Sequence, residues 1–431
     1  GTEIRKKLSK LRMEKWSQIR YNAIDGRNKI RCQDIETRQE EERTLKNVVI
    51  SDAVKYVGVD DKTIDLFESQ YKVPNGVSYN SYVILDEKIA VMDTVDKRAT
   101  DQWIDNLEAV LDGKTPDYLI VSHLEPDHAG NIQLFAEKYP NAKVVLSVKA
   151  AAMLNQFFTI DLAQRMVTVK EGDTLSLGTH TLHFVMAPMV HWPEVMVEYE
   201  SSEKILFSAD GFGKFGALDT EEDWTAEARR YFINIVGKYG TQVQTLLKKA
   251  AGLDIQTICP LHGPILKENL GFYIEKYLKW SGYEPEEEGV VIAYASIHGN
   301  TAGAAKKLGE MLREKGVSVV SYDLARDDLA QAVADAYRFD KLVVACPTYD
   351  ASLFPCMEDF LYHLKIKAYQ NRKVAIMENG SWAPMSGKLM RAYFEGMKNI
   401  TICEPVVTIK STVKPETITA MEEMAEALLA K

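Results

Sequence analysis

The segment Tyr118–Asn131 constrains this chain more tightly than any other stretch. Tyr118-Leu119-Ile120-Val121 reads as a short buried strand, apolar throughout. It runs into Ser122-His123-Leu124-Glu125-Pro126-Asp127-His128, and Gly130 and Asn131 then precede an amphipathic run through Tyr139. Four groups able to bind a metal, His123, Glu125, Asp127 and His128, fall within six residues. Alternate residues of an extended loop project to one side, so His123, Glu125 and Asp127 can converge on a point. A dense ligand set in a strand-to-helix loop is where an α/β protein keeps its chemistry. The apolar strand leading into it argues against a merely solvated polar loop.

Three more ligand types stand just past predicted strands. They are His191 after Thr181–Ala187, Asp210 after Lys204–Ser208, and His262 after Ile255–Cys259. Alone, each would read as a cap or a surface residue. Strand ends gather at one rim of a β-sandwich, however, so residues distant in sequence can share a site. His123, Glu125 and His191 can serve one metal, and Asp127 and His262 a second, with Asp210 bridging.

The surrounding pattern fits a sandwich. Tyr82–Leu85 and Ile89–Asp93 read as strands joined by a turn, Asp101–Leu111 as a helix, and Lys143–Leu146, Met166–Val169 and Val195–Glu200 as further strands. A long helical region covers Ala226–Ala251. Two sets of strands with helices outside predict a four-layer αββα arrangement. The acidic, proline-containing stretch Glu284–Glu288 reads as a linker. Beyond it Val290–Tyr294, Val317–Tyr322, Lys341–Ala345, Lys373–Met377 and Ile400–Pro405 alternate with helices, which predicts a doubly wound parallel sheet. The expected division is 1–44 as an N-terminal extension of uncertain structure, 45–284 as the metal domain, and 285–431 as the parallel-sheet domain.

At the first turn of that sheet lies Ser296-Ile297-His298-Gly299-Asn300-Thr301. Hydroxyls and free backbone N–H groups at a helix N-terminus cradle a phosphate. The loops Pro347-Thr348-Tyr349-Asp350-Ala351 and Asn379-Gly380-Ser381-Trp382-Ala383 follow strands at the same edge, and Tyr349 and Trp382 offer aromatic faces to a flat ring.

The order His-x-Glu-x-Asp-His, then His, Asp and His, resembles the metallo-β-lactamase superfamily. Hydrolases of that superfamily carry His where this chain has Glu125. A glutamate there is similar to the flavodiiron proteins, and the three C-terminal loops resemble the FMN site of flavodoxins. A carboxylate in place of an imidazole adds charge and a hard oxygen donor, which suits iron better than zinc. The resemblance runs from about Leu45 to the C-terminus. It implies an oxidoreductase in which electrons pass from an external donor through FMN to a di-iron centre that reduces oxygen to water or nitric oxide to nitrous oxide. It also implies a head-to-tail homodimer, with Trp192 near the junction. A histidine at the His128 position often stays off the metal in that family, so His128 is expected behind the ligands, handling protons, with Tyr231 beside the pocket. His298 stands where family members commonly have an aromatic residue. The alternative is a zinc hydrolase carrying a flavodoxin-like appendage.

Bulk properties narrow the partners. A formal net charge of −10 argues against generic nucleic-acid binding. No apolar run is long enough to span a bilayer. Five cysteines form no CxxC pair, which fits a reducing cytoplasm and encodes no rubredoxin-type site, so the donor (a rubredoxin or a reduced deazaflavin) is expected to be a separate molecule. His180, His183, His363 and Cys346 lack partners at metal spacing and read as structural.

Overall fold

A computed structural model describes residues 48–430; the extension expected over 1–44 lies outside the described residues. The first sheet follows chain order: β1 (Val54–Tyr56), β2 (Tyr82–Ile84), β3 (Ala90–Met92), β4 (Tyr118–Val121), β5 (Lys143–Ser147) and β6 (Met166–Val169). β1 to β3 pair antiparallel, and β3 to β6 parallel. The second sheet is β7 (Thr174–Ser176), β8 (Thr181–Met186), β9 (Met196–Glu200), β10 (Ile205–Phe207) and β11 (Thr257–Cys259), again in chain order. Its first four strands alternate in direction, and β11 runs parallel to β10. Consequently β8, β10 and β11 all point the same way and end at one rim.

Helix α1 (Thr100–Leu111) turns Trp103, Leu107 and Leu111 into the core, and the Trp103 N–H donates to Ser81 Oγ at 3.0 Å. Helix α2 (Ile132–Lys138) follows the loop after β4. The helical region expected over Ala226–Ala251 is helical nearly throughout, with changes of winding. It comprises α3 (Trp224–Tyr231), a wide turn over Phe232–Val236, a tight turn over Gly237–Tyr239, and α4 (Gly240–Ala250). A Cβ at Gly240 would lie 2.3 Å from the Ser281 carbonyl, so glycine allows α4 to approach the end of α5 (Leu270–Ser281). With α4 and α5 over the outer face of the second sheet, the αββα layering is complete. Strand β1 and two short hairpins (Val59–Asp61 with Val77–Tyr79, and Leu66–Phe67 with Tyr71–Lys72) escape sequence reading because two or three residues carry no measurable alternation.

The C-terminal sheet is built from β12 (Glu287–Tyr294), β13 (Val319–Asp323), β14 (Phe339–Tyr349), β15 (Arg372–Asn379) and β16 (Ile400–Ile402) in the parallel order β13-β12-β14-β15-β16. β17 (Val407–Ile409) adds a further parallel pairing to β15. Helices α6 (Asn300–Glu314), α7 (Leu329–Arg338), α8 (Pro355–Ile366), α9 (Ser386–Glu395) and α10 (Pro415–Leu429) connect and cover it. This is the flavodoxin-like doubly wound order.

The stretch Glu284–Glu288 carries one anchored residue. The Glu286 side chain is buried, takes the Arg229 guanidinium in two hydrogen bonds, and accepts from Lys276 Nζ at 2.8 Å and Trp280 Nε1 at 2.7 Å. Glu287 already belongs to β12 and pairs with Arg338. Charge count alone suggested solvent exposure; three cationic or N–H donors from α3 and α5 make burial tolerable. A second tie is Lys367, just past α8, whose ammonium donates to the Asn234 carbonyl and to Tyr71 Oη. Asn234 Nδ2 in turn donates to the Ala330 carbonyl of α7 at 3.1 Å.

Burial alone would raise the Glu286 carboxyl, but Arg229, Lys276 and Trp280 hold it below its ordinary 4.5. A depressed carboxyl adds stability that is complete above its unfolded pKa and is lost as the pH falls through the folded value. Glu286→Ala, which strands Arg229, is therefore expected to cost ~3–5 kcal/mol near neutrality, with the gap to wild type closing in acid. Denaturant unfolding of both proteins from neutral to acid pH measures it.

Candidate dinuclear metal centre and flavin cleft

The metal loop starts where β4 ends. His123 and Glu125 sit in the loop itself, and Pro126 at the first helical position opens the turn Pro126–Ala129 that carries Asp127 and His128. His191 follows β8, Asp210 follows β10, and His262 follows β11, the three strands that share a direction. All seven side chains meet in two groups, His123–Glu125–His191–Asp210 and Asp127–His128–His262, the ligand atoms of each group lying within 4.8 Å of one another.

Asp210 connects the groups. Its Oδ2 lies 3.2 Å from His191 Nε2 and 3.7 Å from His123 Nε2, and its Oδ1 lies 3.1 Å from His128 Nε2. Glu125 Oε2 is 3.2 Å from His123 Nε2 and 3.0 Å from His191 Nε2. Asp127 Oδ2 stands 3.2 Å from His262 Nε2 and 3.3 Å from His128 Nε2. His128, expected behind the ligands, thus has its Nε2 inside the second group. The helical turn begun by Pro126 sets it beside Asp127.

The donors fit two cations. Both oxygens of Asp127, Asp210 Oδ1, His128 Nε2 and His262 Nε2 are buried without a hydrogen-bond partner. Buried polar atoms are seldom left so unless an ion or water completes them. Burial alone would raise Asp210, but the imidazoles of His128, His191 and His123 hold it well below the usual carboxylate range. Against burial, which lowers both, Asp127 and Asp210 push His128 up to about 9, and Asp210 and Glu125 do the same for His191. The field is negative throughout, and a mixed set of carboxylates and imidazoles suits iron.

Outer contacts fix the imidazoles. His123 Nδ1 lies 2.7 Å from Glu194 Oε1, and His262 Nδ1 lies 2.7 Å from the Ser78 carbonyl, so Nε2 of each faces the metals. Glu194 also accepts the Leu124 N–H at 2.9 Å. Behind the loop, Ser122 donates its N–H and hydroxyl to Asp93, and the same hydroxyl lies 3.0 Å from Glu198. Burial pushes Asp93 up to about 6, though Ser122 and His128 oppose it. Sequence reading missed Glu194, Asp93 and Glu198. Only the place of Glu194 in the His191 loop hinted at a role. Tyr231 is buried, with its ring 5.4 Å from that of His262 and 5.1 Å from Phe215. Burial, then the charges of Asp210, Asp127 and Glu125, keep its phenol protonated. His180 lies away from the metals, with Nδ1 2.8 Å from Asp86, and His363 lies 3.5 Å from Asp359.

The three C-terminal loops line one cleft of about 530 Å³. Ser296, Ile297, His298, Asn300 and Thr301 form one side; Pro347, Thr348, Tyr349, Asp350 and Ala351 a second; and Asn379, Gly380, Ser381, Trp382 and Ala383 a third. Gly299, in the left-handed region at φ 89°, turns the chain into α6, whose N-terminus faces the cleft. Asn379 donates to Thr301 Oγ1 and to the Ser411 carbonyl, which ties the loops together and adds Ser411, a residue sequence reading had passed over. Trp382 is 84% exposed and Tyr349 44%, two aromatic faces that bury little surface of their own. A flat ring stacked on them, with its phosphate at α6, fits this cleft.

Residues 77–263 match the model of the ODP family of β-lactamases, and residues 292–391 match the flavodoxin family. An uncharacterized protein of Methanocaldococcus jannaschii is 30% identical over 88% of this chain and 97% of its own. The nitric oxide reductase of Moorella thermoacetica is 28% identical over 89% of this chain and 98% of its own. The solved structure of the rubredoxin:oxygen oxidoreductase of Desulfovibrio gigas superposes with a TM-score of 0.83 at 27% identity, over 88% of this chain and 97% of its own. The fold and site define a β-lactamase-like metal domain joined to a flavodoxin-like domain. The chain belongs to the flavodiiron protein family.

Three metal-content outcomes follow. Asp210→Asn is expected to lower the occupancy of both metal positions, whereas His262→Ala empties mainly one. Glu194→Gln, which loosens only the orientation of His123, is expected to weaken metal affinity by about 10- to 100-fold. Metal analysis after dialysis against graded chelator reads all three.

Proposed function

We propose that this protein reduces oxygen to water, nitric oxide to nitrous oxide, or both, with electrons passing from an external donor through FMN to a di-iron centre. The observation that carries this reading is the pair of ligand groups sharing Asp210, in a chain that also carries a flavin-shaped cleft. The names of the Moorella and Desulfovibrio relatives support the two gases. His123, Glu125 and His191 would hold one iron, Asp127, His128 and His262 the other, and Asp210 both. Bound iron supplies the electrons that a diatomic gas accepts, and bound FMN supplies their relay.

The protein's own residues set the conditions. Three carboxylates stabilise the more highly charged oxidised metals. Glu194 and the Ser78 carbonyl hold His123 and His262 in register. Phe67 and Tyr231 pack against His262 with Phe215 behind them and keep water from that side. Tyr231 would stand as a neutral phenol beside the pocket. Ser296, Asn300 and Thr301 would bind the FMN phosphate, and Tyr349 and Trp382 its ring.

The metal loop and the flavin cleft stand on different sheets. A head-to-tail homodimer would set the cleft of one protomer against the metals of its partner, with Trp192 at the junction. Its ring lies 5.1 Å from that of His123 and 6.3 Å from that of His191. The donor fitting this scheme is a rubredoxin or a reduced deazaflavin.

Anaerobic, donor-coupled turnover with each gas, with iron and FMN quantified on the same sample, tests the proposal. Gas consumption with two irons and one FMN per chain is expected; zinc without iron, together with hydrolysis of a thioester or lactone, would overturn it. Solution molar mass is expected to be that of a dimer or a multiple of it, and a stable, active monomer would refute the head-to-tail arrangement.

A further inference from the structure

Between the outer face of the second sheet and helices α4 and α5 lies a cavity of about 340 Å³. Strand alternation creates its walls. Val197, Leu206 and Ile258 turn toward the helices, while their neighbour Glu198 turns the other way, to Ser122. Val243, Leu247 and Ile274 close it from the helix side. An engineered cavity of roughly 150 Å³ lined by such side chains stays dry and takes up benzene or xenon. This one is larger and mostly apolar, and it opens to solvent past Lys248 and Leu278.

Its few polar neighbours are already engaged. Ser208 Oγ donates to the Gly211 carbonyl at 2.6 Å, and Tyr277 Oη accepts the Phe212 N–H at 2.6 Å. Gln244 Nε2 donates to the Leu278 carbonyl and to Ser281 Oγ. A buried water needs two to four polar partners, and each of these groups already makes a protein hydrogen bond. Lys248 is exposed and stands at the solvent end.

The inner end of the cavity backs on the metal centre. Val190 and Gly211-Phe212 line it, the first preceding His191 and the other two following Asp210. Ligand-bearing turns on two strands therefore share a wall with a mostly apolar space. Oxygen and nitric oxide are small, uncharged and poorly hydrated, so they partition into such a space, whereas protons and anions do not.

We propose that this cavity is a holding chamber for the apolar gas substrate, which reaches the metals past Phe212 and Val190; the role rests on the gas-reductase reading given above. It separates the routes of the two co-substrates. The gas arrives from the α4–α5 side, and protons arrive through the polar residues of the opposite wall. Filling the chamber lowers the local gas concentration without touching a metal ligand or the flavin cleft.

Crystals of the holoprotein pressurised with xenon, together with the filling variants Leu247→Trp and Val197→Phe, test this. Expected are a xenon site among Val197, Leu247 and Ile258, its loss in both variants, unchanged iron and FMN content, and a KM for the gas raised about threefold or more with kcat at saturating gas retained. Ordered water in place of xenon, or an unchanged KM in a variant whose chamber is filled, would overturn the chamber. Val197→Phe adds volume inside the sheet and serves if the tryptophan variant does not fold. Absence of turnover with either gas in the wild type would refute the reductase reading itself, and is told apart because xenon uptake is read without turnover.

Discussion

Everything around the metal centre depends on one carboxylate, Asp210, facing imidazoles from both sides. A single aspartate can serve two groups only if the loops bearing them end at one rim. That condition is met because β8, β10 and β11 run in the same direction while β4 delivers its loop from the other sheet. The negative field that results is strong enough to hold buried imidazoles protonated in the absence of anything else to balance it. Cations remove that imbalance, and the outer contacts of Glu194 and Ser78 decide which ring nitrogens are offered to them.

The site was more legible in the sequence than the fold was. Its ligands follow strands whose apolar runs are unmistakable, so position and residue type together identified His123, Glu125, Asp127, His191, Asp210 and His262 for the two groups that the structure brings together. His128, kept out of the ligand set only by the family resemblance, stands beside Asp127 in the helical turn Pro126–Ala129. Glu194 and Glu198 could not be found, since a buried carboxylate in a strand or loop has no sequence signature until its donor is known. In the flavin cleft the three loops were evident from the βα alternation, but Ser411 joins them only through its hydrogen bonds to Asn379.

The helical region over Ala226–Ala251 changes its winding without ending. Part of the reason is tertiary: Asn234 presents its carbonyl to Lys367 and Tyr71 and its amide to Ala330. A wide turn at Phe232–Val236 supplies that geometry at the expense of regular helix hydrogen bonds. Glu284–Glu288 lies at the short connection between α5 and β12, and of its acids only the Glu286 side chain is buried, against Arg229, Lys276 and Trp280.

That acidic run has a consequence for how the molecule can be taken apart. A protease needs several residues of extended, accessible backbone, and the junction between the two domains offers little: Glu286 is locked from both sides and Glu287 is already in a strand. Only a few residues of the seam are thus open to a protease, with Glu284, Glu287 and Glu288 exposed while Glu286 is pinned to α3 and α5.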